Sequence, residues 1–463
     1  MQNLRYCILF LSFSLITTKL CGQSKTDAEM IATLHEKAVV ESKAYEWLEF
    51  LCKKIGNRLS GTPQLMAATY YSKSLMEQLN FDSVWLQPCQ VPVWIRGEKE
   101  ECRIVSSKLG SFELKVLALG NSTGTGQLGV EGEVIIVNSL QELEKMDDSK
   151  VKDKIVFFNR PFQESALYTG KAYGSTVDQR VRGPQLAAKK GAVAALVRSV
   201  TANRDDEPHT GATNFEDGAR QIPCYALGTQ SSNLLADLNF KSPVRVYCKS
   251  TSKMMGTTDG YNVIGQLTGS KYPDEVIIIG GHLDSWDIGE GAHDDGAGCV
   301  QSIEVLRLLQ SSGYKPQRTI RAILYTNEEN GLAGAKAYKL FADVAKEKQI
   351  MAIESDSGGH SPQGFFYEAE AGVSPEYQQS LKEWKVLLEP YGYQFVPGGS
   401  GADVGTLRPL KTFLLGLMPD SQRYFDYHHS SNDTFDKVNR RELELGAAAA
   451  ASIVFLADKY GLN

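Results

Sequence analysis

The residues able to bind a metal or move a proton cluster in a few short stretches of the second half of this chain. His282 and Asp284 stand in Gly281-His282-Leu283-Asp284-Ser285-Trp286-Asp287, and Asp294-Asp295-Gly296 follows. Glu328 and Glu329 are adjacent, Asp356 closes Glu354-Ser355-Asp356, and His428 and His429 lead into Ser430-Ser431-Asn432-Asp433-Thr434. Imidazoles mixed with carboxylates are the donor set of a divalent metal site. Nitrogen and oxygen together suit zinc, whereas magnesium and calcium would want fewer imidazoles. One carboxylate can bridge two metals about 3.5 Å apart, as in two-metal hydrolases. Asp294 is the natural bridge, being central and close to glycines that let the backbone approach. The glutamate pair suggests divided labour, one binding metal and the other free to take a proton from the attacking water. Asp284, two residues after His282, can hydrogen-bond the other imidazole nitrogen and fix the ring. Singly, each feature has a bland reading: a surface hydrogen bond, a turn, a solvated face.

The elements that must position these residues argue against the bland readings. An apolar run, 276–279, precedes Gly280-Gly281 and reads as a strand buried on both faces. Cys299, Ile303, Leu306 and Leu309 then fall at helical spacing, with Glu304 and Arg307 elsewhere on the helix surface. The run 320–325 ends before Glu328-Glu329, 349–353 ends before Asp356, and 412–418 precedes His429. The last helix is the alanine-rich 443–460. Ligands in open α/β sheets bind beyond the carboxyl ends of the strands. The expected fold is therefore α/β, a mixed, largely parallel sheet flanked by helices, with all of these residues brought to one edge.

With 463 residues the chain exceeds a single core. Residues 24–94 read as the N-terminal part of the catalytic domain, helical to about 79. Residues 81–93 alternate like a strand, and the charged turn 96–100 predicts a hairpin. From 95 to 255 the texture changes to short strands with charged starts (130–137, 152–158), a helix (184–190), strands (191–197, 222–227) and a polar loop (205–220). This segment holds no cluster of metal ligands and reads as an inserted, β-rich, non-catalytic domain whose loops narrow access to the site. Residues 256–463 carry the catalytic domain. Residues 1–23 read as a signal peptide, Arg5 followed by the apolar stretch 7–17, too short to span a bilayer. Thr18-Lys19-Leu20 favours a cleaved leader over a lipid anchor at Cys21. The expected location is periplasmic or extracellular. The net charge of −6 argues against nucleic acid as a partner. Of eight cysteines, Cys52 and Cys299 read as buried thiols, while Cys89/Cys102 and Cys224/Cys248 are conceivable disulfides.

In combination these motifs resemble the co-catalytic di-zinc aminopeptidase family. The ordered set runs from Gly280 to Thr434, and Lys154-Ile155-Val156, the stretch 185–192 and Ile222-Pro223 resemble a protease-associated domain. The resemblance implies two Zn2+ per chain. His282 and Asp356 would ligate one, Glu329 and His429 the other, Asp294 would bridge, and Glu328 would be the general base. It places a cis peptide at Asp294-Asp295. Some relatives have an oxyanion-donating tyrosine before the last histidine ligand; here that position is His428, to which the role is carried. The implied activity is hydrolysis of dipeptides or the N-termini of short peptides by an exported enzyme, and relatives suggest a homodimer. Two other readings are a metal-free receptor-like module and a single-zinc acyl transferase of the glutaminyl cyclase type. Metal content separates them.

Overall fold

The computed structural model describes residues 27–108, 110–369 and 375–462. Residues 1–23, read above as a signal peptide and carrying Cys7 and Cys21, lie outside the described residues. The chain starts on helices 27–40 and Ala44–Phe50 and the helix Pro63–Gln78, which Thr62 caps by accepting from Leu65 N. Strand β1 (Ser83–Ile95) follows. The chain then builds a second layer with β2 (Glu101–Ser106), β3 (Phe112–Glu113), β4 (Val116–Ala118), β5 (Val130–Val137), β6 (Ile155–Phe158), β7 (Ala194–Arg198), β8 (Cys224–Leu227) and β9 (Arg245–Lys249). It returns with β10 (Lys253–Leu267), β11 (Tyr272–His282), β12 (Arg318–Tyr325), β13 (Lys348–Glu354), β14 (Pro362–Tyr367), β15 (Gln394–Pro397) and β16 (Phe413–Pro419).

Among the described residues these strands form two eight-stranded sheets. The main sheet has the order β1-β10-β12-β11-β13-β16-β14-β15, and the second β3-β2-β9-β5-β6-β7-β8-β4. In the main sheet β12, β11, β13 and β16 run parallel, so their carboxyl ends lie side by side. The apolar runs seen in sequence are these strands, buried on both faces. The helix Ala297–Ser311 and the C-terminal helix Arg440–Tyr460 pack on one face of the sheet in a common core.

Three expectations need correction. The charged turn 96–100 does not close a hairpin: β1 pairs antiparallel with β10, which returns only after the whole second sheet, and β2 pairs with β3 and β9. Glu304 is not on the surface. Its helix is covered on both sides, so Glu304 is fully buried, and it accepts from Arg307 Nε at 2.7 Å and Nη2 at 2.6 Å. The suggested cysteine pairs do not meet, because Cys102 lies opposite Cys248 across the β2/β9 ladder. Cys52 and Cys299 are buried, as read.

Candidate metal centre

His282 is the last residue of β11, and two close approaches fix it there. Asp295 Oδ2 accepts from His282 N at 2.9 Å and its Oδ1 from Gly298 N at 2.9 Å. A Cβ on Gly281 would lie 2.3 Å from Asp295 Oδ2, and one on Gly298 would lie 1.8 Å from Ser355 O. Only glycine lets strand end, loop and helix start pack this closely. The loop itself is held from the N-terminal segment by Arg58, a fully buried side chain. Its guanidinium donates to Leu283 O (2.8 Å), Gly56 O (3.0 Å), Glu290 O (2.8 Å) and Gly291 O (2.8 Å). The Asp294-Asp295 peptide is cis. Asp433 supports it from the far side, accepting from His293 N at 2.7 Å and Asp294 N at 3.1 Å.

Five of the expected residues converge. His282 Nε2 lies 3.2 Å from Asp294 Oδ1 and 3.5 Å from Asp356 Oδ1. On the other side His429 Nε2 lies 3.2 Å from Asp294 Oδ2 and 3.0 Å from Glu329 Oε2. Asp294 thus presents one oxygen to each histidine. Zinc bonds of 2.0–2.2 Å in a tetrahedron put neighbouring donor atoms about 3.4 Å apart, which matches both groups. Asp294 Oδ2 and Glu329 Oε1 are buried and receive no hydrogen bond, the expected state of oxygens built to meet a cation. His282, Asp294 and Glu329 can also share one ion, as can Asp294, His428 and His429.

The electrostatics carry the same message. Burial alone would lower the pKa of His429, but Glu329 and Asp294 outweigh it and raise it to about 10. His282 is likewise raised well above its usual value, with burial opposed by Asp356 and Asp294. Without metal, protons on the imidazoles balance the carboxylates, and metal binding must displace them. Burial drives Glu328 well above the carboxylate range, with Asp356, Glu329 and Asp284 adding to it and His282 opposing. Such an environment suits a group that must carry a proton.

Asp284 does not bind the imidazole through its carboxylate. His282 Nδ1 lies 2.9 Å from the Asp284 backbone carbonyl, and the nearer carboxylate oxygen is 3.9 Å away. The carboxylate instead accepts from Glu328 N (3.0 Å) and Glu329 N (3.3 Å). Both contacts serve the site, one aiming His282 and the other setting the two glutamates. His428 stacks on His429 with centroids 3.6 Å apart, its Nε2 is 3.7 Å from Asp294 Oδ2, and its buried Nδ1 has no hydrogen-bond partner.

The segment 95–255, read from the sequence as non-catalytic with loops that narrow access to the site, sends several residues to it. A cavity of about 330 Å³ above the cluster is lined by Glu328, Glu329, Asp356 and His428, and from that segment by Tyr168, Tyr173, Arg180 and Asn214. Arg180 is buried; its Nη1 donates to Thr210 O at 3.1 Å and lies 3.3 Å from His429 Nδ1, and its Nη2 donates to Tyr173 Oη at 2.8 Å. Thr210 N donates to His429 O at 2.8 Å. Trp286, from the metal loop, enters the core of the second sheet, where it takes the space a Cβ on Gly120 would need. Arg96 pairs with Asp287 through two hydrogen bonds of 2.6 and 2.8 Å.

This parallel sheet, with histidines and carboxylates converging at its carboxyl edge, is a framework able to hold divalent metal. Residues 262–454 match the model of peptidase family M28. The chain is 32% identical over 431 residues to carboxypeptidase Q of Homo sapiens, covering 93% of this chain and 88% of that one. Carboxypeptidase Q of Xenopus laevis is 34% identical over 424 residues, 91% and 87% of the two chains. Among solved structures, a peptidase M28 precursor from Shewanella amazonensis superposes with a TM-score of 0.88 at 33% identity, covering 95% of this chain and 99% of that one. A zinc aminopeptidase from Bacillus subtilis shares the fold at 19% identity, TM-score 0.64, covering 89% and 94%. The chain belongs to peptidase family M28, and the histidines and carboxylates gathered at its sheet edge form groups that could hold metal ions. Among the described residues no helix is long and apolar enough to cross a membrane.

Proposed function

We propose that this enzyme is an exported dipeptidase that also trims the N-termini of short peptides. The observation that carries the reading is the cavity over the metal cluster, whose wall includes the buried guanidinium of Arg180. His282, Asp356 and Asp294 would hold one zinc, and Glu329, His429 and Asp294 the other. When bound, the two ions polarise the scissile carbonyl and activate a water. Glu328 would accept a proton from the attacking water and return it to the leaving amine. A neutral His428 donates one ring N–H to the developing oxyanion. Arg180 would meet the free carboxylate of a dipeptide, a charge-assisted contact that a longer or amidated substrate lacks. Residues 95–255 act as a separate inserted domain that supplies this wall, and a homodimer is the proposed assembly. Export rests on the sequence pattern of residues 1–23.

The test is zinc content per chain together with kinetics on a dipeptide panel and the matching C-terminal amides. The reading expects two zincs and a preference for free dipeptides. Arg180→Met should raise KM for free dipeptides at least about 10-fold, leave KM for the amides within about 2-fold, and keep both zincs, a loss of the size of one charge-assisted hydrogen bond. Equal kinetics on acids and amides in the wild type would sink the dipeptidase reading and leave a general aminopeptidase.

A further inference from the structure

Cys102 on β2 and Cys248 on β9 stand directly opposite each other, both are buried, and their sulfurs are 3.3 Å apart. The surrounding ladder tells which kind of antiparallel pair they form. Within a strand, the N–H and C=O of one residue point to the same side. Cys102 O accepts from Leu114 N at 2.9 Å, so its polar groups face away from β9. On the other strand, Val134 N donates to Val244 O at 3.0 Å, and Val130 stands opposite Cys248 in the same register. Cys248 lies an even number of residues from Val244, so its polar groups face β5. Neither cysteine directs peptide groups into the β2/β9 seam. Theirs is a non-hydrogen-bonded pair, the closer kind, with Cα atoms about 4.5 Å apart. Disulfides span Cα separations of about 4.4–6.8 Å.

We propose that Cys102 and Cys248 form a disulfide in the mature protein, which rests on the reading that the chain is exported. The oxidant is a dithiol–disulfide oxidase of the receiving compartment. The thiolate of one cysteine attacks the oxidase disulfide and displaces one oxidase thiol. The second cysteine's thiolate then attacks the mixed disulfide and displaces the other. Two protons leave the cysteines, two electrons pass to the oxidase, and its disulfide becomes a dithiol. The sulfurs close from 3.3 Å to about 2.0 Å, a movement within reach of side-chain torsions. Both thiols are buried in the finished sheet, so the bond forms while β2 and β9 are pairing.

The position gives the bond a purpose. β1 ends at Ile95 and β2 starts at Glu101; β9 ends at Lys249 and β10 starts at Lys253. The bond would close the neck through which the chain leaves and rejoins the main sheet. Everything the second layer sends to the metal centre, including Tyr173, Arg180 and Thr210, lies inside that loop. Cys224 and Cys299 are committed elsewhere, their thiols donating to Ile222 O and His282 O.

The experiment expresses the full chain with its own N-terminal segment in a bacterial host and isolates the exported fraction. Thiols are alkylated under denaturing, non-reducing conditions, and peptides are mapped by mass. The expected result is one cross-linked peptide pair carrying Cys102 and Cys248, two hydrogens lighter than the reduced pair. Reduction should free both for alkylation, and Cys102→Ser should leave Cys248 alkylated without reduction. A fraction in which both react without reduction while a co-exported control is oxidised overturns the proposal, as does a cross-link from either one to Cys89 or Cys224. Should the chain stay in the cytoplasm, the export reading fails by itself. The pairing is then read by refolding the full chain in a glutathione redox buffer, where the same cross-link supports it and free thiols at both positions overturn it.

Discussion

Asp294 faces His282 Nε2 and His429 Nε2, each at 3.2 Å, through different oxygens. Its neighbour Asp295 spends both oxygens on backbone N–H groups, those of His282 and Gly298. The two residues are adjacent and chemically identical, so they separate bridging from support. Asp294→Asn keeps the shape but removes the charge that offsets two nearby dications. It should lose at least one zinc and nearly all activity. Asp295→Asn should keep both zincs and cost about 1–3 kcal/mol of stability, since one backbone donor loses its acceptor. Metal analysis after dialysis decides; equal zinc loss in the two variants would put the bridge elsewhere. Glu328 is held by its backbone, which donates to Asp284, so its side chain can change without moving the ligands. Glu328→Gln should retain two zincs and lower kcat by at least about 10²–10⁴-fold. Turnover above a tenth of wild type would remove Glu328 from the mechanism.

At the scale of elements, the metal loop is a segment with little regular structure held by side chains from outside it, Arg58 foremost, with Asp433 and Arg96. Arg58 meets the backbone carbonyls of Leu283, Glu290 and Gly291. Arg58→Met would leave the carbonyls of Leu283 and Glu290 without this donor, while Gly291 O keeps Gly296 N at 3.0 Å, and about 3–5 kcal/mol is expected. Denaturant unfolding measures it, and zinc affinity should fall in parallel; a change under 1 kcal/mol would show that the loop holds itself. The same scale explains what the sequence disclosed. Parallel strands buried on both faces read as apolar runs, so β11, β12, β13 and β16, and the residues just past their ends, were legible. Long-range pairing was not. Nothing in residues 96–100 tells that β1 waits for β10, or that Cys102 will meet Cys248, because register is set by strands far apart in sequence. Glu304 was misplaced because its helix is covered on both sides. Arg180 was missed because an arginine between Gln179 and Val181 reads as a surface charge. Asp284 was expected to act through its carboxylate, but the tight turn after β11 offers its carbonyl first.

At the scale of the molecule, the two sheets meet at the metal centre, and His209 sits in that seam. It comes from the polar loop of the second layer, is buried, and its Nδ1 donates to His428 O at 2.6 Å. That contact makes Nδ1 the protonated nitrogen, and Nε2 is buried without a partner. Burial lowers the His209 pKa to about 4, with His429 and Arg180 adding to it and the bond to His428 O and the charge of Asp205 opposing. In the unfolded chain histidine titrates near 6.5. The folded state therefore favours the neutral ring. Its contribution is fully present above pH 6.5, and it is lost as pH falls toward 4, where the unfolded chain takes up a proton that the folded one refuses. The full loss amounts to about 3 kcal/mol. His209→Asn keeps a donor for His428 O but has no titrating ring. The stability gap between wild type and His209→Asn, measured by denaturant unfolding of metal-free protein, should narrow by about 2 kcal/mol between pH 7.5 and pH 5.0. Using metal-free protein keeps zinc loss in acid out of the comparison. A gap independent of pH would mean that water reaches His209 and that the seam between the sheets opens in solution.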